Sequence, residues 1–150
     1  MKVSDRVSTL LRQKGSDVFS VHSQASVYSA LEAMADKRIG ALLVIDDGKL
    51  IGIMSERDYA RKITLHGKSS KDTLVREIMT PSPITVRSDA SVEDAMRIMT
   101  DNHVRHLPVL DAAEGIAGVV SISDVVRWII TRQEEVIAHL QHYIAGGLSH

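Results

Sequence analysis

The sequence predicts an α/β fold composed of two tandem copies of a strand–helix–strand–strand–helix unit, with a helix flanking the pair at each end. The first observation is an internal repeat. Residues 21–46 placed over residues 86–111 give eleven identities, where average composition would give about two by chance. The second is hydrophobic periodicity, which changes between helical and extended patterns in the same order in both copies.

The first helix of each copy has a clear apolar face. Apolar residues recur at i, i+3, i+4 and i+7 behind a serine that can cap the helix. These residues are Val27, Ala30, Leu31 and Met34 after Ser26, and Val92, Ala95, Met96 and Met99 after Ser91. Short strands are expected just before these helices, at residues 18–21 and 84–86.

A pair of apolar runs follows each of these helices. Residues 41–45 and 50–54 are joined by a turn with an Asp47-Gly48 step, which is typical of a tight β-hairpin. In the second copy, runs 107–110 and 116–120 are joined by a turn that is one residue longer. A second helix is then expected to begin at Ser55 and at Ser121.

The segments outside the two repeats define where each unit of the chain begins and ends. Pro81 and Pro83, behind a polar stretch at 67–72, indicate a linker with a short helical turn at 75–79. A helix over 3–13 should end near Gly15, and a long apolar helix over 123–144 should end at Gly146-Gly147. We therefore divide the chain into an N-terminal helix (1–16), unit 1 (17–66), a linker (67–82), unit 2 (83–131) and a C-terminal helical extension (132–150).

The composition excludes several classes of function. A formal net charge of −1 gives no general attraction to nucleic acids or anionic membranes, and 3% aromatic residues leave few stacking surfaces for bases. The absence of cysteine excludes disulfides, thiolate metal sites and a cysteine nucleophile. No segment approaches the roughly 20 apolar residues of a membrane span. We expect a cytoplasmic protein that binds neither nucleic acid nor membrane.

The polar signature shared by the copies is Gly-x-x-Ser-x-x-Asp. It runs from Gly52 to Asp58 in the first copy and from Gly118 to Asp124 in the second. One interpretation is a helix cap, in which Ser and Asp satisfy free N–H groups of the first turn. The other is a nucleoside site, because a carboxylate accepts hydrogen bonds from a ribose diol and a helix N-terminus favours phosphate. The two interpretations are compatible.

Together with His103-Val104-Arg105-His106-Leu107-Pro108-Val109, this doubled signature resembles a CBS-domain pair, or Bateman module. The resemblance covers about residues 17–131, and segments 54–61 and 77–81 are similar to small stand-alone bacterial members. It implies pseudo-twofold-related clefts between the copies, each able to bind an adenosine derivative as a regulatory ligand. AMP is the first expectation, with ADP, ATP, NAD or S-adenosylmethionine as alternatives, and no enzymatic activity is expected.

The resemblance also implies which residues contact the ligand. Asp58 and Asp124 would hold ribose hydroxyls, and Ser55 and Ser121 stand where the family more often has threonine. The adenine slot opposite Asp58 would be formed by Ile84, Thr85, Val86, Leu107 and Pro108. The slot opposite Asp124 would be formed by Phe19, Ser20, Ile39, Gly40 and Ala41.

The two expected clefts differ in charge. Phosphate binding needs fixed cations, and Arg57, Arg105 and His106 stand at the phosphate-facing positions of the Asp58 cleft. In the Asp124 cleft, Ser123 replaces Arg57, while Gly40-Ala41 replace Arg105-His106. We therefore expect the Asp58 cleft to bind nucleotide phosphate more strongly.

Other signals are weaker. His103 and His106, and likewise His139 and His142, have a spacing that some metal ligands use, but no acidic or cysteine partner accompanies them, so no metal is expected. No nucleophile and base are arranged for catalysis. The apolar terminal helices predict a homodimer. The competing hypothesis is a structural or interaction protein with non-functional clefts that acts through its C-terminal helix.

Overall fold

The computed structural model describes the backbone of residues 5–148, and the side chains of that range except those of 143 and 146–148. It has two compact units. Residues 17–85 form the first unit, and the residues before 17 together with those from 86 onward form the second unit. Both units are mixed α/β, which confirms the predicted fold class.

The first unit contains a four-stranded sheet in the order β1-β2-β3-β4. Strand β1 pairs parallel to β2, and the other two pairings are antiparallel. The elements of this unit are β1 (Ser20–Val21), α2 (Val27–Lys37), β2 (Ala41–Asp46), β3 (Lys49–Ser55), α3 (Glu56–Tyr59) continued by a π-helical turn (Ala60–Thr64), α4 (Val75–Ile78) and β4 (Thr80–Pro81).

The second unit repeats this plan with a three-stranded sheet in the order β5-β6-β7. Strand β5 is parallel to β6, and β6 is antiparallel to β7. Its elements are α1 (Val7–Lys14), β5 (Val86–Arg87), α5 (Val92–Asn102), β6 (His106–Leu110), β7 (Ile116–Ser121) and α6 (Ile122–Leu148). Each sheet has an irregularity at an equivalent place, between Val44 and Ile45 and between Val109 and Leu110.

The predicted caps and turn are confirmed. Ser26 Oγ accepts from the amide of Ser29, and Ser91 Oγ accepts from the amide of Asp94. The hairpin turn has positive φ at both central residues, 51° at Asp47 and 77° at Gly48. Asp and Gly tolerate this left-handed conformation, which matches the twist of the flanking strands. The local sequence therefore determines this connection.

The two helices α1 and α4 occupy equivalent places in the two units. The amides of Val7 and Val75 donate at 2.8 Å to the carbonyls of Ala90 and Ala25, which are matched positions of the repeat. Both helices bury apolar side chains in the core of their unit, namely Val7, Leu10 and Leu11 in one and Val75 and Ile78 in the other. Each unit is thus completed by the helix that precedes the other repeat in sequence.

This arrangement differs from the expected division of the chain. The expected linker, residues 67–82, contains the expected short helix, here α4, which is confirmed. It also contains strand β4, and both elements belong to the first unit. The N-terminal helix packs into the core of the second unit, although it precedes the first repeat in sequence. The reason is physical, because a two-layer unit needs an apolar helix to cover its remaining core and the chain supplies one before each repeat.

Several predicted boundaries were wrong. The N-terminal helix begins at Val7 and not at residue 3, and residues 3 and 4 lie outside the described range. The opening strands are shorter and lie at Ser20–Val21 and Val86–Arg87. The last helix begins at Ile122 and continues through Gly146 and Gly147 to Leu148. Glycine weakens a helix by about 1 kcal/mol relative to alanine but does not forbid one, so this pair is not an obligatory end.

Within the described residues, no helix is long and apolar enough to cross a membrane.

Candidate functional site

The two Gly-x-x-Ser-x-x-Asp segments form the same structure. In each unit the last strand of the hairpin ends at the serine, and the next helix begins with the serine as its N-cap. The amide of Asp58 donates to Ser55 Oγ at 3.2 Å, and the amide of Ser55 donates to Asp58 Oδ2 at 3.0 Å. The corresponding distances for Ser121 and Asp124 are 3.1 and 2.9 Å. The capping interpretation of the signature is therefore confirmed in both copies.

Both aspartate side chains keep a small exposed surface. Each has a side-chain exposure of 13%, so each carboxylate is largely withdrawn from bulk water but still reachable. A carboxylate in this position has more acceptor capacity than one capping bond uses. The remaining oxygen lone pairs are available to other donors, and these donors differ between the units.

In the first unit, Asp58 has partners from its own helix and from β4. Thr80 Oγ1 donates to Asp58 Oδ1 at 3.3 Å, and Lys62 Nζ lies 3.4 Å from the same oxygen. Lys62 also donates to the carbonyl of Ile78 at 2.8 Å. Both contacts with Oδ1 are long, so they hold this oxygen weakly.

In the second unit, Asp124 has a closer cationic partner. Lys14 Nζ, at the end of α1, lies 2.5 Å from Asp124 Oδ2, which is the oxygen that also accepts from the amide of Ser121. Burial alone would raise the pKa of Asp124. The hydrogen bond from Lys14, the amide of Ser121 and the charge of Lys14 outweigh this effect and hold the pKa below its usual range. Asp124 is therefore an ionised, partnered carboxylate at neutral pH.

His106 lies close to the same ion pair. It stands opposite Ser121 in the register of β6 and β7. Burial lowers the pKa of His106; Asp124 acts in the opposite direction, and Lys14 and Arg105 add to the lowering. The second unit thus brings Lys14, His106 and Asp124 together, and the imidazole is neutral at pH 7.

Backbone hydrogen bonds place two predicted site residues, Gly40 and Arg105, beside the Ser–Asp segment of their own unit. The carbonyl of Gly40 accepts from the amide of Glu56 at 3.0 Å, and the carbonyl of Arg105 accepts from the amide of Ile122 at 2.8 Å. Gly40 therefore lies at the start of α3 and Arg105 at the start of α6. The contacts expected across the repeats, of Arg105 and His106 with the Asp58 cleft and of Gly40-Ala41 with the Asp124 cleft, stay predictions.

The predicted adenine-slot residues vary in exposure. Ile84 is 40% exposed, whereas Val86 and Leu107 are buried in the core of the second unit. Pro108 is also buried. The side chains of Val86, Leu107 and Pro108 are therefore withdrawn from the surface, and their part in an adenine slot stays a prediction. The other adenine-slot residues, Phe19, Ser20, Ile39, Gly40, Ala41 and Thr85, are half-buried or exposed, and so are the phosphate-facing candidate Arg57 and its counterpart Ser123.

The two glycines of the signature lie so close to neighbouring atoms that a larger side chain would collide with them. A Cβ on Gly52 would lie 2.6 Å from Met79 Sδ and 3.0 Å from the carbonyl oxygen of Thr80. A Cβ on Gly118 would lie 3.0 Å from Leu11 Cδ2. Leu11 lies in α1 and Met79 directly follows the equivalent helix α4, so the glycine allows the helix of each unit to approach the hairpin closely.

A cavity of about 350 Å³ lies in the second unit between α1 and α6. Its lining includes both members of the Lys14–Asp124 pair, together with Arg127, Trp128 and Arg132. Cavities of this volume are within the range that small-molecule ligands occupy. Asp124 therefore borders a cavity of this size inside its own unit.

Sequence reasoning missed Lys14, Lys62 and Thr80 as partners of the aspartates. Lys62 is four residues after Asp58, and helical spacing could have found it. Lys14 is 110 residues from Asp124, and nothing in the local sequence indicates their contact. Among the described residues there is no group of three or more His, Cys, Asp or Glu side chains that could hold a metal ion.

Comparison with known proteins also finds two copies of one domain in this chain. The family model described as "CBS domain" matches residues 11–65 and 75–131. The CBS domain-containing protein CBSX3, mitochondrial, of Arabidopsis thaliana is 40% identical over 96% of this chain and 74% of its own length. CBSCBSPB2 of the same plant is 32% identical, but this chain spans only 25% of it.

Solved structures give the same result. A protein with CBS domains from Burkholderia ambifaria MC40-6 is 42% identical, with a TM-score of 0.81 over 85% of this chain and 96% of that one. The CBS domain pair of protein MJ0100, in complex with 5′-methylthioadenosine and S-adenosyl-L-methionine, is 25% identical with a TM-score of 0.75 over 86% and 98%. None of these relatives is named as an enzyme. With two matched domains that cover most of its length, the chain belongs to the CBS domain family and carries a tandem pair of these domains.

Proposed function

We propose that this protein is a regulatory module that senses an adenosine-containing ligand through its two Ser–Asp segments, with AMP as the first candidate. ADP, ATP, NAD and S-adenosylmethionine share the adenosine part and are the alternatives. The ligand would act by changing the conformation or the assembly of the protein, which requires that it binds two states with different affinity. No catalytic step is part of the proposal.

The observation that carries the proposal is the duplicated, partly exposed carboxylate at a helix N-terminus. Asp58 and Asp124 are each 13% exposed and held at a fixed position by their capping bonds. A ribose offers two adjacent hydroxyl donors, and an ionised carboxylate offers two acceptor oxygens. Withdrawal of the carboxylate from water strengthens such bonds. The relative that binds two adenosine compounds supports this ligand class.

Phosphate recognition would distinguish the two segments. Arg57 lies within the first turn of α3, next to Asp58, and the equivalent residue next to Asp124 is Ser123. The resemblance also assigns Arg105 and His106 to the ligand of Asp58. A guanidinium binds phosphate with paired hydrogen bonds, so a nucleotide should favour the Asp58 site over the Asp124 site.

The proposed assembly is a homodimer formed through α6. Its apolar residues Val126, Ile130, Ile137, Leu140 and Ile144 are 43–58% exposed. Their spacings of four, seven, three and four residues keep them on one stripe of the heptad type, with Gln133 filling the remaining position of the stripe. Arg127 and Glu134 flank it with opposite charges. A stripe with this spacing is complementary to a second copy of itself.

The same exposed stripe favours one alternative function. In that alternative the protein is a structural or interaction protein, its nucleotide clefts are non-functional, and α6 docks on a target. Neither function requires a metal, a nucleic acid or a membrane. We expect a cytoplasmic location, although the relative CBSX3 is named as mitochondrial.

A thermal unfolding panel with AMP, ADP, ATP, NAD, S-adenosylmethionine and GTP separates the two functions. A ligand at about 100 times its Kd adds about 2.7 kcal/mol to the free energy of unfolding. The sensor predicts this increase for at least one adenosine compound and none for GTP, and mass spectrometry of molecules released from the purified protein would identify the natural ligand. A panel without any shift would favour the interaction protein.

A further inference from the structure

The contact between Lys14 and Asp124 joins the end of α1 to the start of α6. Lys14 Nζ lies 2.5 Å from Asp124 Oδ2, and its side chain is 34% exposed. The matched position in the first unit, counted from the equivalent helix α4, is Ser82, which has no charge. Asp58 therefore has no counterpart of this pair, and its own cation, Lys62, belongs to the segment that follows it and lies at 3.4 Å.

We propose that Lys14 is a specificity-determining residue, which competes with the ligand's ribose for Asp124 and, once displaced, becomes the cation for the ligand's phosphate. This inference rests on the proposed function and deepens it for the Asp124 site. A neutral nucleoside would have to displace Lys14 without offering it a new partner. A nucleotide would give Lys14 a new partner, because the phosphate accepts hydrogen bonds from the ammonium group that the ribose displaced.

Three observations support this role. The carboxylate oxygen that Lys14 contacts also accepts a hydrogen bond from the amide of Ser121. A ribose that uses both oxygens of Asp124 must therefore share or replace the contact with Lys14. Both residues line the cavity of about 350 Å³, which gives the displaced ammonium group and a phosphate a common space. Arg127 lines this cavity too and makes no ion pair within the described part of the chain, so it can add a second cation.

The inference changes the expected ligand preference of the Asp124 site. The sequence alone leaves this site without the phosphate-facing cations of the other copy. Lys14 supplies a phosphate-facing cation from α1, but only when the ligand's ribose has displaced it from the Asp124 carboxylate. The site would thus bind less tightly than the Asp58 site and would discriminate more strongly between AMP and adenosine.

The test uses calorimetry of AMP and adenosine on the full chain carrying Asp58→Ala, so that only the Asp124 site is measured. Lys14→Met should raise the affinity for adenosine about three- to tenfold, because the competing ion pair is lost, and should reduce the ratio of AMP affinity to adenosine affinity by a similar factor. Lys14→Arg should keep the ratio near that of Lys14. Fluorescence of Trp128, the only tryptophan of the chain, provides a second readout in the same cavity.

Arg12→Met is the matched control, because it removes a cation of the same helix that bonds to Thr9 and does not line the cavity. It should leave both affinities within twofold. The inference is overturned if Lys14→Met leaves the adenosine affinity unchanged or lowers it while AMP still binds through Asp124. If no Asp58→Ala variant binds either compound while the unmodified chain binds AMP, the inference fails and the proposed function stands for the Asp58 site alone. If the unmodified chain binds neither compound, the proposed function fails as well.

Discussion

Ser55 and Asp58 cap α3 reciprocally, with the amide of each donating to the side chain of the other at 3.0 and 3.2 Å. Ser121 and Asp124 do the same for α6. The structural role and the proposed binding role therefore share the carboxylate of the same aspartate. Capping needs the serine hydroxyl and one carboxylate oxygen, whereas the proposed ribose contacts need the accessible face of the carboxylate.

The first prediction concerns this cap. Ser55→Ala should lower the free energy of unfolding by about 1 kcal/mol, because the amide of Asp58 loses its acceptor in the first turn. Ser121→Ala should have a similar effect on the second unit. Urea unfolding followed by circular dichroism measures both. Unchanged unfolding midpoints in both variants would show that these serines do not cap the helices.

The second prediction compares the two glycines. Gly52→Ala should destabilise the protein by about 1–3 kcal/mol, because the new methyl group meets the backbone oxygen of Thr80 as well as Met79. Gly118→Ala should cost less, because its nearest neighbours are side-chain atoms of Leu11, which can rotate away. Thermal unfolding of both variants shows which substitution destabilises the protein more. A larger loss of stability for Gly118→Ala would contradict the packing of Gly52 against Thr80.

The third prediction concerns pH. Burial lowers the pKa of His106, so below its usual value of about 6.5 the unfolded chain binds more protons at this residue than the folded chain does. The contribution of His106 to stability is therefore present above pH 6.5 and is lost as pH falls through the lowered pKa. Unfolding free energies between pH 7.5 and 5 should fall less steeply in His106→Gln than in the unmodified protein.

His66→Gln is the control for this effect, because it removes an exposed histidine of the first unit. It should follow the pH dependence of the unmodified protein more closely than His106→Gln does. Identical pH dependence in His106→Gln and the unmodified protein would mean that His106 titrates alike in the folded and unfolded chain.

Much of the fold could be predicted from the sequence, because its signals are local. The apolar spacing of α2 and α5, the serine caps and the Asp47-Gly48 turn each depend on residues within one or two turns of the chain. The doubled Ser–Asp signature was visible for the same reason. These features follow from short-range backbone and packing preferences.

The rest depends on contacts between distant segments. That α1 completes the second unit, and α4 the first, follows from which apolar surface each helix covers, and the sequence pattern of an amphipathic helix does not say which sheet it covers. Lys14 was missed because its partner Asp124 is 110 residues away. The end of α6 was misplaced because Gly146-Gly147 reads as a stop signal, although glycine only weakens a helix.

The fourth prediction tests the α6 stripe. Light scattering at micromolar concentration should give about twice the 16.5 kDa mass of the chain. Ile137→Glu places a charge in the middle of the stripe and should shift the protein to the monomer. Ala138→Glu, on an exposed position outside the stripe, is the matched control and should stay dimeric. A monomeric unmodified protein, or equal masses for both variants, would refute a dimer through α6.

The central claim is that Asp58 and Asp124 bind the ligand's ribose, and calorimetry with AMP on their alanine variants tests it most directly. Asp36→Ala and Asp101→Ala, which change the exposed aspartates shared by α2 and α5, serve as controls and should bind like the unmodified protein. We predict that Asp58→Ala loses more affinity than Asp124→Ala and that the double variant does not bind. Equal losses would contradict the difference between the sites, and a double variant that binds AMP like the unmodified protein would contradict the account itself.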